Sequence, residues 1–421
     1  MLDIRNTIQH RLVYPDFQPI ISLRTRSIIG FESLIRGLSS TDNAHPLSPS
    51  VLLDEAAGAG VEIEFDRLCR DTAITRFASI FPGNSGPLLF LNLNTIIIDR
   101  GVVGSGYLLN SVIEANIPAE RVVIEIIESK VNDMDALLRF IKRCRTDGFL
   151  IALDDFGEGE SGFGRIAAIK PDIIKVDRCL TDNIHESFHK QEIFRTVCRL
   201  GSRIGTLVLA EGVETEADTL FCLEAGADLF QGFHFGRPER LSDSSTAAVY
   251  KIIETTANNF RCNFTRSMDR RKRYFSHIHE LVSDMVESVR HCDQAEQTGM
   301  LTVLADSSPL IECLYLLDMN GRMMTPTVFR TPLSANPVVF GDMMTSSLFT
   351  PAKAGDELNL KEYFLHIYCG LTMYTSDPYI SKASGKQCIT VARKYTTSSK
   401  AERILCCDIR SPLETGDIPG Q

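Results

Sequence analysis

The chain has 421 residues, which is too long for one ordinary domain and favours about two. Hydrophobic residues make up 44% and charged residues 23%, values typical of a globular protein outside the membrane. The net charge of -10 excludes a sequence-independent binder of nucleic-acid polymers, because such proteins present a basic surface. It is compatible with a small anionic substrate where a divalent cation reverses the local charge.

The N-terminus and the cysteines predict a cytoplasmic protein. The first 17 residues lack the apolar core of a signal peptide, and no apolar run approaches the roughly 20 residues that a membrane span requires. The 12 cysteines are scattered without a CxxC pair, so reduced thiols are expected instead of a disulfide framework.

The first 240 residues begin with a predicted hairpin at 17–37 and continue with six short apolar runs that end in polar residues. Segments with helical periodicity, such as 135–148, separate these runs. Alternating strands and helices predict an α/β fold, a TIM-like (β/α)8 barrel whose irregular first strand pairs antiparallel. The polar residues would then meet at its C-terminal mouth. They are Asn92, Glu125, Asp154 with Asp155, Lys175, Glu211 and Gln231.

A helical, charged segment follows the barrel. Its residues from Phe264 to Val289 form an apolar stripe at spacings of four and three, interrupted once by Arg271. This stripe either packs against the protein's own domains or forms a signalling or dimerising helix. After it, the pattern predicts a small α+β domain with an antiparallel sheet, in which Asn320 and Gly321 form a hairpin turn. The predicted boundaries are 1–243 for the barrel, 244–294 for the helical linker and 295–421 for the last domain.

The predicted mouth of the barrel is rich in hard oxygen ligands. It combines four carboxylates and one amide, from Glu32, Asn92, Glu125, Asp154 and Asp155. Such ligands suit Mg2+ or Mn2+ and not zinc, which prefers histidine and cysteine. Because two adjacent aspartates can serve two ions, the pattern predicts a two-metal site for in-line phosphoryl displacement.

Three further residues near the mouth have a functional and a purely structural interpretation each. Lys175 lies in an apolar run, so it meets carboxylates or a phosphate, unless it pairs with Asp177 on the same strand face. Glu211 is a metal ligand or a general base, or else a charge at a helix N-terminus. Glu128, three residues after Glu125, belongs to the site or is a solvated loop carboxylate.

These residues fall into motifs that resemble those of EAL domains, which are bacterial phosphodiesterases of cyclic di-GMP. The resemblance covers about residues 10–240. The motifs are Gln18-Pro19-Ile20, Glu32-Ser33-Leu34 with Ile35 and Arg36, Asn92, Glu125 to Glu128, Asp154-Asp155-Phe156-Gly157, Lys175-Val176-Asp177, Glu211-Gly212-Val213-Glu214 and Gln231-Gly232-Phe233. The resemblance implies hydrolysis of cyclic di-GMP to linear pGpG with Mg2+ or Mn2+, by a homodimer.

The resemblance also implies a role for each residue. The metal ligands would be Glu32, Asn92, Glu125, Asp154 and Asp155. Lys175 and Glu211 would handle the nucleophilic water, and Gln231 would support the site. Arg36 would contact a phosphate, and the residues lining the nucleotide pocket would be Gln18, Leu34, Glu214 and Asp155. Glu128 would anchor a loop that couples metal binding to dimerisation.

The loop after the paired aspartates departs from the family pattern. The family has a sequence close to DFGTGYSS, whereas this chain has DFGEGESGFG, with Glu158 and Glu160 in place of a threonine and a tyrosine. These two charges are added near an anionic substrate. The alternative function is therefore a cyclic di-GMP receptor with weak or no turnover. The central alanine of the family tripeptide is replaced by Ser33, a smaller change.

The last domain resembles the Cache/PAS-type sensor domains that follow some EAL domains. The resemblance rests on the turn at Asp318 to Gly321 and on residues 377–385. It implies a small-molecule ligand and regulation of the barrel, and the alternative is a purely structural or dimerising module.

Overall fold

The structure, a computed structural model, describes residues 3–38, 47–95, 98, 106–127, 131, 133–159, 162–331, 351–381 and 386–411. The chain divides into two compact units, Met1–Asn263 and Phe264–Gln421. The division lies inside one long helix, Asp243–Val289, and the boundaries predicted at residues 243 and 294 stay predictions. Within the described residues, none of the helices combines the length and the apolar character that crossing a membrane would require.

Eight strands form a closed barrel in the first unit. They are β1 Val13–Ser22, β2 Ser27–Gly37, β3 Leu88–Asn92, β4 Val122–Ile126, β5 Leu150–Phe156, β6 Ile173–Val176, β7 Leu207–Ala210 and β8 Leu229–Phe230. β1 pairs antiparallel with both β2 and β8, and all the other neighbouring pairs are parallel. This topology confirms the predicted TIM-like barrel with an antiparallel first strand.

The helices of this unit follow the strands along the chain. They are α1 Ile4–Gln9, α2 Pro49–Ala59, α3 Glu62–Ile80, α4 Tyr107–Glu114, α5 Met134–Thr146, α6 Phe163–Ile169, α7 Arg178–Thr181, α8 Phe188–Ile204, α9 Glu216–Ala225 and the long α10 Asp243–Val289. Short 3-10 turns occur at Ala119–Arg121 and Ile184–Glu186.

The ends of α5 show how local sequence delimits a helix. The side chain of Asp133 accepts a hydrogen bond from the Ala136 amide at 2.9 Å, which satisfies one of the free N–H groups of the first turn. At the other end Gly148 has a φ of 98°, a conformation that stops a helix at little cost. Leu137 and Ile141 belong to the core that packs the outer faces of the strands.

One apolar layer fills the interior of the barrel. Side chains two residues apart along a strand point to the same face, so each strand contributes one residue. β2 contributes Gly30, where a Cβ would lie 2.7 Å from Phe90 Cε2, so the phenylalanine ring takes that space. The other buried members are Ile20, Phe90, Val123, Ala152, Ile173, Leu209 and Leu229. This layer closes the barrel beneath the mouth.

The second unit contains an antiparallel sheet, as predicted. Its strands are β9 Ile311–Leu317, β10 Val328–Phe329, β11 Met373–Thr375, β12 Tyr379–Ile380, β13 Gln387–Thr396 and β14 Glu402–Arg410, in the order β10-β9-β14-β13-β11 with β12 also on β13. Its further helices are α11 Gln297–Asp306 and α12 Glu362–Tyr368. Gly321 forms the predicted turn with a φ of 80°. The returning arm makes an isolated bridge from Met323 to Leu317 and then pairs with β9 through the short strand β10.

The apolar stripe of α10 packs partly within its own unit. Ile278, Val282 and Met285 are at most 1% exposed and share a core with the sheet. Further along the stripe, toward the N-terminus of the helix, Phe264 and Met268 are 40% and 45% exposed. The packing interpretation is therefore correct for the C-terminal half of the stripe.

The opposite face of the sheet holds a half-buried polar cluster around Asp408. Its carboxylate accepts hydrogen bonds from Thr390 Oγ1 at 2.7 Å and from Cys313 Sγ at 3.3 Å. The hydroxyl of Tyr379 lies 2.8 Å from Thr390 Oγ1. Burial raises the pKa of Asp408, because the charged form loses its hydration.

We expect Asp408→Asn to change how the stability of the second unit depends on pH. A carboxyl whose folded pKa is raised favours folding below its unfolded pKa, and that contribution is lost as the pH rises through the folded pKa. The stability of the wild type relative to Asp408→Asn should therefore fall as the pH rises above about 4, the usual pKa of the unfolded carboxyl. Hydrogen exchange of the β13 and β14 amides measures this difference. Equal pH dependence in both proteins would contradict it, and Glu280→Gln on the exposed side of α10 is the matched control.

Candidate active site

Polar side chains form a second layer in the barrel, two residues beyond the apolar one toward the mouth. Each of the eight strands supplies one of them: from β3 to β8 it lies near or just past the C-terminal end of the strand, and in the longer β1 and β2 it lies in the middle. Because of the two-residue period, all of them point inward. They are Gln18, Glu32, Asn92, Glu125, Asp154, Lys175, Glu211 and Gln231. The sequence thus predicted which side chains converge.

Lys175 lies at the centre of this layer and is 1% exposed. Its Nζ atom is 2.6 Å from Glu125 Oε1, 2.6 Å from Glu211 Oε1 and 2.9 Å from Asp154 Oδ1. Glu32 Oε2 is 3.8 Å away. The interpretation that Lys175 meets carboxylates is therefore correct. Asp177 instead caps α7, where its Oδ1 accepts a hydrogen bond from the Cys179 amide at 2.7 Å.

Burial and mutual repulsion shift the pKa values in this cluster. Burial is the largest cause that raises the pKa of Glu125 and of Glu211 well above the usual carboxyl range. For Lys175, burial favours the neutral amine, but the surrounding carboxylates outweigh it and hold its pKa well above the usual value. Four carboxylates thus face a single ammonium group. Among the described residues, Glu125 Oε2 has no hydrogen-bond partner, which marks a place for additional positive charge.

Glu32 is held by amide groups on both of its carboxylate oxygens. Asn92 Nδ2 donates to Oε1 at 2.7 Å, and Gln231 Nε2 donates to Oε2 at 2.5 Å. Gln231 Nε2 also lies 3.1 Å from Gln18 Oε1, and Gln18 Nε2 donates to the Gly236 carbonyl at 3.1 Å. This network links β1, β2, β3 and the segment after β8, so it fixes the carboxylate before any ligand binds.

A β-bulge in β5 sets the orientation of the paired aspartates, Asp154 and Asp155. The parallel register between β5 and β6 shifts between Leu153 and Phe156, and Asp155 has a left-handed φ of 55°. This conformation is uncommon for a residue with a side chain and costs about 1–3 kcal/mol. As a result, carboxylate oxygens of Asp154, Asp155 and Glu211 lie within 4.8 Å of one another. A regular strand would point neighbouring residues to opposite faces, so the bulge is what permits this cluster.

The surroundings of Glu211 exclude one of its interpretations. The next helix, α9, begins at Glu216 and is capped by the Thr215 side chain, so Glu211 is not at a helix N-terminus. Its carbonyl instead accepts a hydrogen bond from Thr181 Oγ1. The segment after Glu211 lies close to the chain just past β8, where a Cβ at Gly232 would lie 2.1 Å from the Val213 carbonyl oxygen.

The polar layer opens into a cavity of about 320 Å³. Its lining includes the four residues that the resemblance assigned to the nucleotide pocket, Gln18, Leu34, Asp155 and Glu214, together with Glu32, Asp154, Lys175, Glu211 and Gln231. Arg36 does not line it: its Nε lies 3.1 Å from Asp16 Oδ2 on β1. Glu128 and Glu160 lie outside the described residues, so the prediction for Glu128 stays a prediction.

Two lining residues were given no role from the sequence. Arg178 follows the strand-end motif directly, and its NH1 lies 2.8 Å from Glu214 Oε1. Phe233 is 43% exposed, and the guanidinium carbon of Arg237 lies 4.1 Å from its ring centroid. A cation just after a catalytic strand and an aromatic beside Gln231 were the available signals. Neither indicates by itself where the side chain points.

A larger cavity of about 570 Å³ lies between β2, β3, α2 and α3. It shares Glu32 and Leu34 with the first cavity, and Asn92 also lines it. A buried ion pair between Asp66 and Arg70 lines its wall. Asp66 Oδ1 also accepts a hydrogen bond from the Asn94 amide at 3.2 Å. This contact ties α3 to the chain just past Asn92.

The closed barrel with its antiparallel first strand defines an α/β barrel whose acidic mouth offers oxygen ligands to a divalent cation. Residues 1–238 match the EAL domain family, and the chain belongs to that family.

Known proteins resemble the chain over one or both units. YkuI of Bacillus subtilis, an uncharacterised EAL-domain protein, is 25% identical over 335 residues, which cover 78% of this chain and 80% of YkuI. The crystal structure of YkuI with substrate c-di-GMP and calcium superposes with a TM-score of 0.78 at 22% identity, covering 98% of this chain and 100% of that one. At this identity the match shows a shared fold.

Two further relatives match the barrel region. Escherichia coli PdeD, a probable cyclic di-GMP phosphodiesterase, is 27% identical over 230 residues, covering 54% of this chain and 41% of PdeD. Klebsiella pneumoniae BlrP1, solved with calcium and cyclic di-GMP, has a TM-score of 0.50 at 31% identity, covering 54% of this chain and 56% of that one. The chain thus spans less than half the length of PdeD.

Proposed function

We propose that the protein hydrolyses cyclic di-GMP to linear pGpG in bacterial second-messenger signalling. The observation that carries this proposal is the inward layer of four carboxylates around Lys175, at the mouth of a barrel of the EAL family. The similarity to PdeD, named as a probable phosphodiesterase of this nucleotide, supports the substrate class.

The donor set fits divalent cations. The oxygens of Glu32, Asn92, Glu125, Asp154 and Asp155 would hold Mg2+ or Mn2+, and the adjacent aspartates suit a pair of ions. When bound, such cations supply Lewis acidity toward the phosphodiester and lower the pKa of a water molecule. The excess of buried carboxylate over ammonium charge around Lys175 supports this assignment.

The chain's own residues would position the reactants and move the proton. Lys175 holds the Glu211 carboxylate at 2.6 Å and thereby aims it at the cavity. Glu211 accepts the proton of the attacking water as the water oxygen bonds to phosphorus. The bond from phosphorus to the 3′ oxygen breaks, and that oxygen leaves as a hydroxyl after taking a proton from solvent. Gln231 keeps Glu32 in place through its hydrogen bond.

One observation favours a second candidate, a receptor that binds the nucleotide with weak or no turnover. Glu158 brings a carboxylate oxygen within 4.8 Å of those of Asp155 and Asp177. This added negative charge lies beside the predicted metal ligand Asp155, so it would alter the charge of the metal site and thereby the turnover of a bound nucleotide.

Chromatography of the reaction products tests the two candidates directly. The purified full chain should convert cyclic di-GMP to pGpG with Mg2+ or Mn2+, and Ca2+ should inhibit. Tight binding with Ca2+ but no product with either of the other cations, at protein concentrations that support dimers, would establish the receptor. Glu158→Thr, which removes the added charge, should then restore turnover. A wild type that neither binds nor hydrolyses the nucleotide would overturn both candidates.

The remaining sequence predictions extend this proposal. The second unit would be a Cache/PAS-like sensor with a small-molecule ligand that regulates the barrel, consistent with its antiparallel sheet. The protein would act as a cytoplasmic homodimer, with Glu128 anchoring the loop that links metal binding to dimerisation.

A further inference from the structure

The side chain of Arg178 lies across the backbone that connects Glu211 to Glu214. A Cβ at Gly212 would lie 2.7 Å from Arg178 Cβ and 2.8 Å from its Cγ, and Gly212 has a left-handed φ of 62°. Glycine is therefore needed at position 212 for two reasons. The left-handed backbone conformation favours glycine, and a side chain there would clash with the aliphatic part of Arg178. Arg178 begins α7, whose Thr181 donates to the Glu211 carbonyl, so helix and loop are held together at two points.

The guanidinium of Arg178 holds the carboxylate of Glu214. NH1 lies 2.8 Å from Glu214 Oε1, and the side chains are 54% and 35% exposed. An ion pair this exposed contributes little to folding stability. The ion pair instead fixes the orientation of Glu214, because the planar guanidinium restrains a carboxylate that would otherwise rotate freely at the cavity mouth.

The charges that line the cavity determine how this ion pair affects the binding of an anionic ligand. Among the described residues lining it, the two cations are Lys175 and Arg178. Lys175 is buried and surrounded by carboxylates, so Arg178 is the cation that reaches the solvent-facing side. When Arg178 balances its charge and fixes its orientation, the Glu214 carboxylate can face a dinucleotide anion. A carboxylate without a paired cation would repel that anion.

We infer that Arg178 is a positioning residue for base recognition, which orients Glu214 to read the edge of a guanine. This inference rests on the proposed function. A carboxylate only accepts hydrogen bonds, and the Watson–Crick edge of guanine presents two donors, N1–H and the 2-amino group. Adenine presents one donor and one acceptor on that edge, and the acceptor repels a carboxylate. Arg178 therefore contributes to selectivity for cyclic di-GMP over cyclic di-AMP.

Steady-state kinetics and binding of both dinucleotides test this inference. Arg178→Ala should raise KM, or the Kd measured with Ca2+, for cyclic di-GMP by roughly 10- to 100-fold with little change in kcat. The preference over cyclic di-AMP should shrink by the same factor. Arg178→Lys, which keeps the stem over Gly212 and the charge, should recover part of it. The double variant Arg178→Ala/Glu214→Ala should be no worse than Glu214→Ala alone, because the two residues act as one unit.

Two results would overturn the inference. If Arg178→Ala weakened the binding of both dinucleotides equally, and if this loss added to that of Glu214→Ala, the main role of Arg178 would be contact with a phosphate and not the orientation of Glu214. Unchanged affinity in Arg178→Ala would remove any role in binding. Asp182→Asn is the matched control, because Asp182 Oδ1 lies 3.7 Å from Arg178 NH2 but Asp182 does not line the cavity. A wild type that neither binds nor hydrolyses cyclic di-GMP overturns the proposed function and this inference together.

Discussion

Replacing Lys175 with methionine is expected to destabilise the first unit by about 3–5 kcal/mol when divalent cations are absent. The ammonium group is the buried positive charge among Glu32, Glu125, Asp154 and Glu211, and methionine removes it without leaving a large void. The remaining carboxylates would then be buried with less compensation. Urea unfolding of the full chain in the presence of a chelator measures the loss.

Added Mg2+ or Mn2+ should restore much of the stability of Lys175→Met. A cation that binds the folded carboxylate cluster and not the unfolded chain stabilises the folded state by mass action. The stabilisation by the cation should be larger in the variant than in the wild type, while turnover stays low because Glu211 has lost its holding contact. Lys142→Met, on the exposed side of α5, is the control. The interpretation fails if both variants lose equal stability, or if cations restore none of it.

Glu32→Gln should lower kcat by roughly 10²- to 10³-fold while the fold is kept. Glutamine has the shape of glutamate, and the amides of Asn92 and Gln231 can each rotate to pair with it. What is lost is one negative charge among the predicted metal ligands. Product chromatography with saturating Mn2+ gives the rate, and circular dichroism verifies folding.

The matched control for this variant is Glu64→Gln, an exposed carboxylate on α3 that lies outside both cavities. It should keep wild-type turnover. If Glu32→Gln retained more than about a tenth of the activity, Glu32 would not be a ligand of the kind proposed.

Much of the first unit could be predicted because strands repeat every two residues. Val123 and Glu125, or Ile173 and Lys175, are an apolar residue and a polar one on the same face of one strand. Repetition of this pair along the chain predicted both the barrel and the composition of its mouth.

The contacts of individual side chains could not be predicted in the same way. Arg36 pairs with Asp16 across the β1–β2 hairpin, and its predicted contact with a phosphate stays a prediction. The register of a hairpin decides such a pair, and the sequence motif around Arg36 does not record it. The bulge that turns Asp155 toward Glu211 depends likewise on how β5 meets β6.

By itself, the sequence determined the family, the barrel and the set of residues at the ends of its strands, because these follow from local period and from motifs. Tertiary structure alone decided which atoms of those residues pair. It placed Lys175 among four carboxylates, Arg178 on Glu214 and Arg36 on Asp16. The physical reason is that hydrogen bonds and ion pairs are set by distances of about 3 Å between atoms far apart in sequence. Such distances exist only after the barrel has closed.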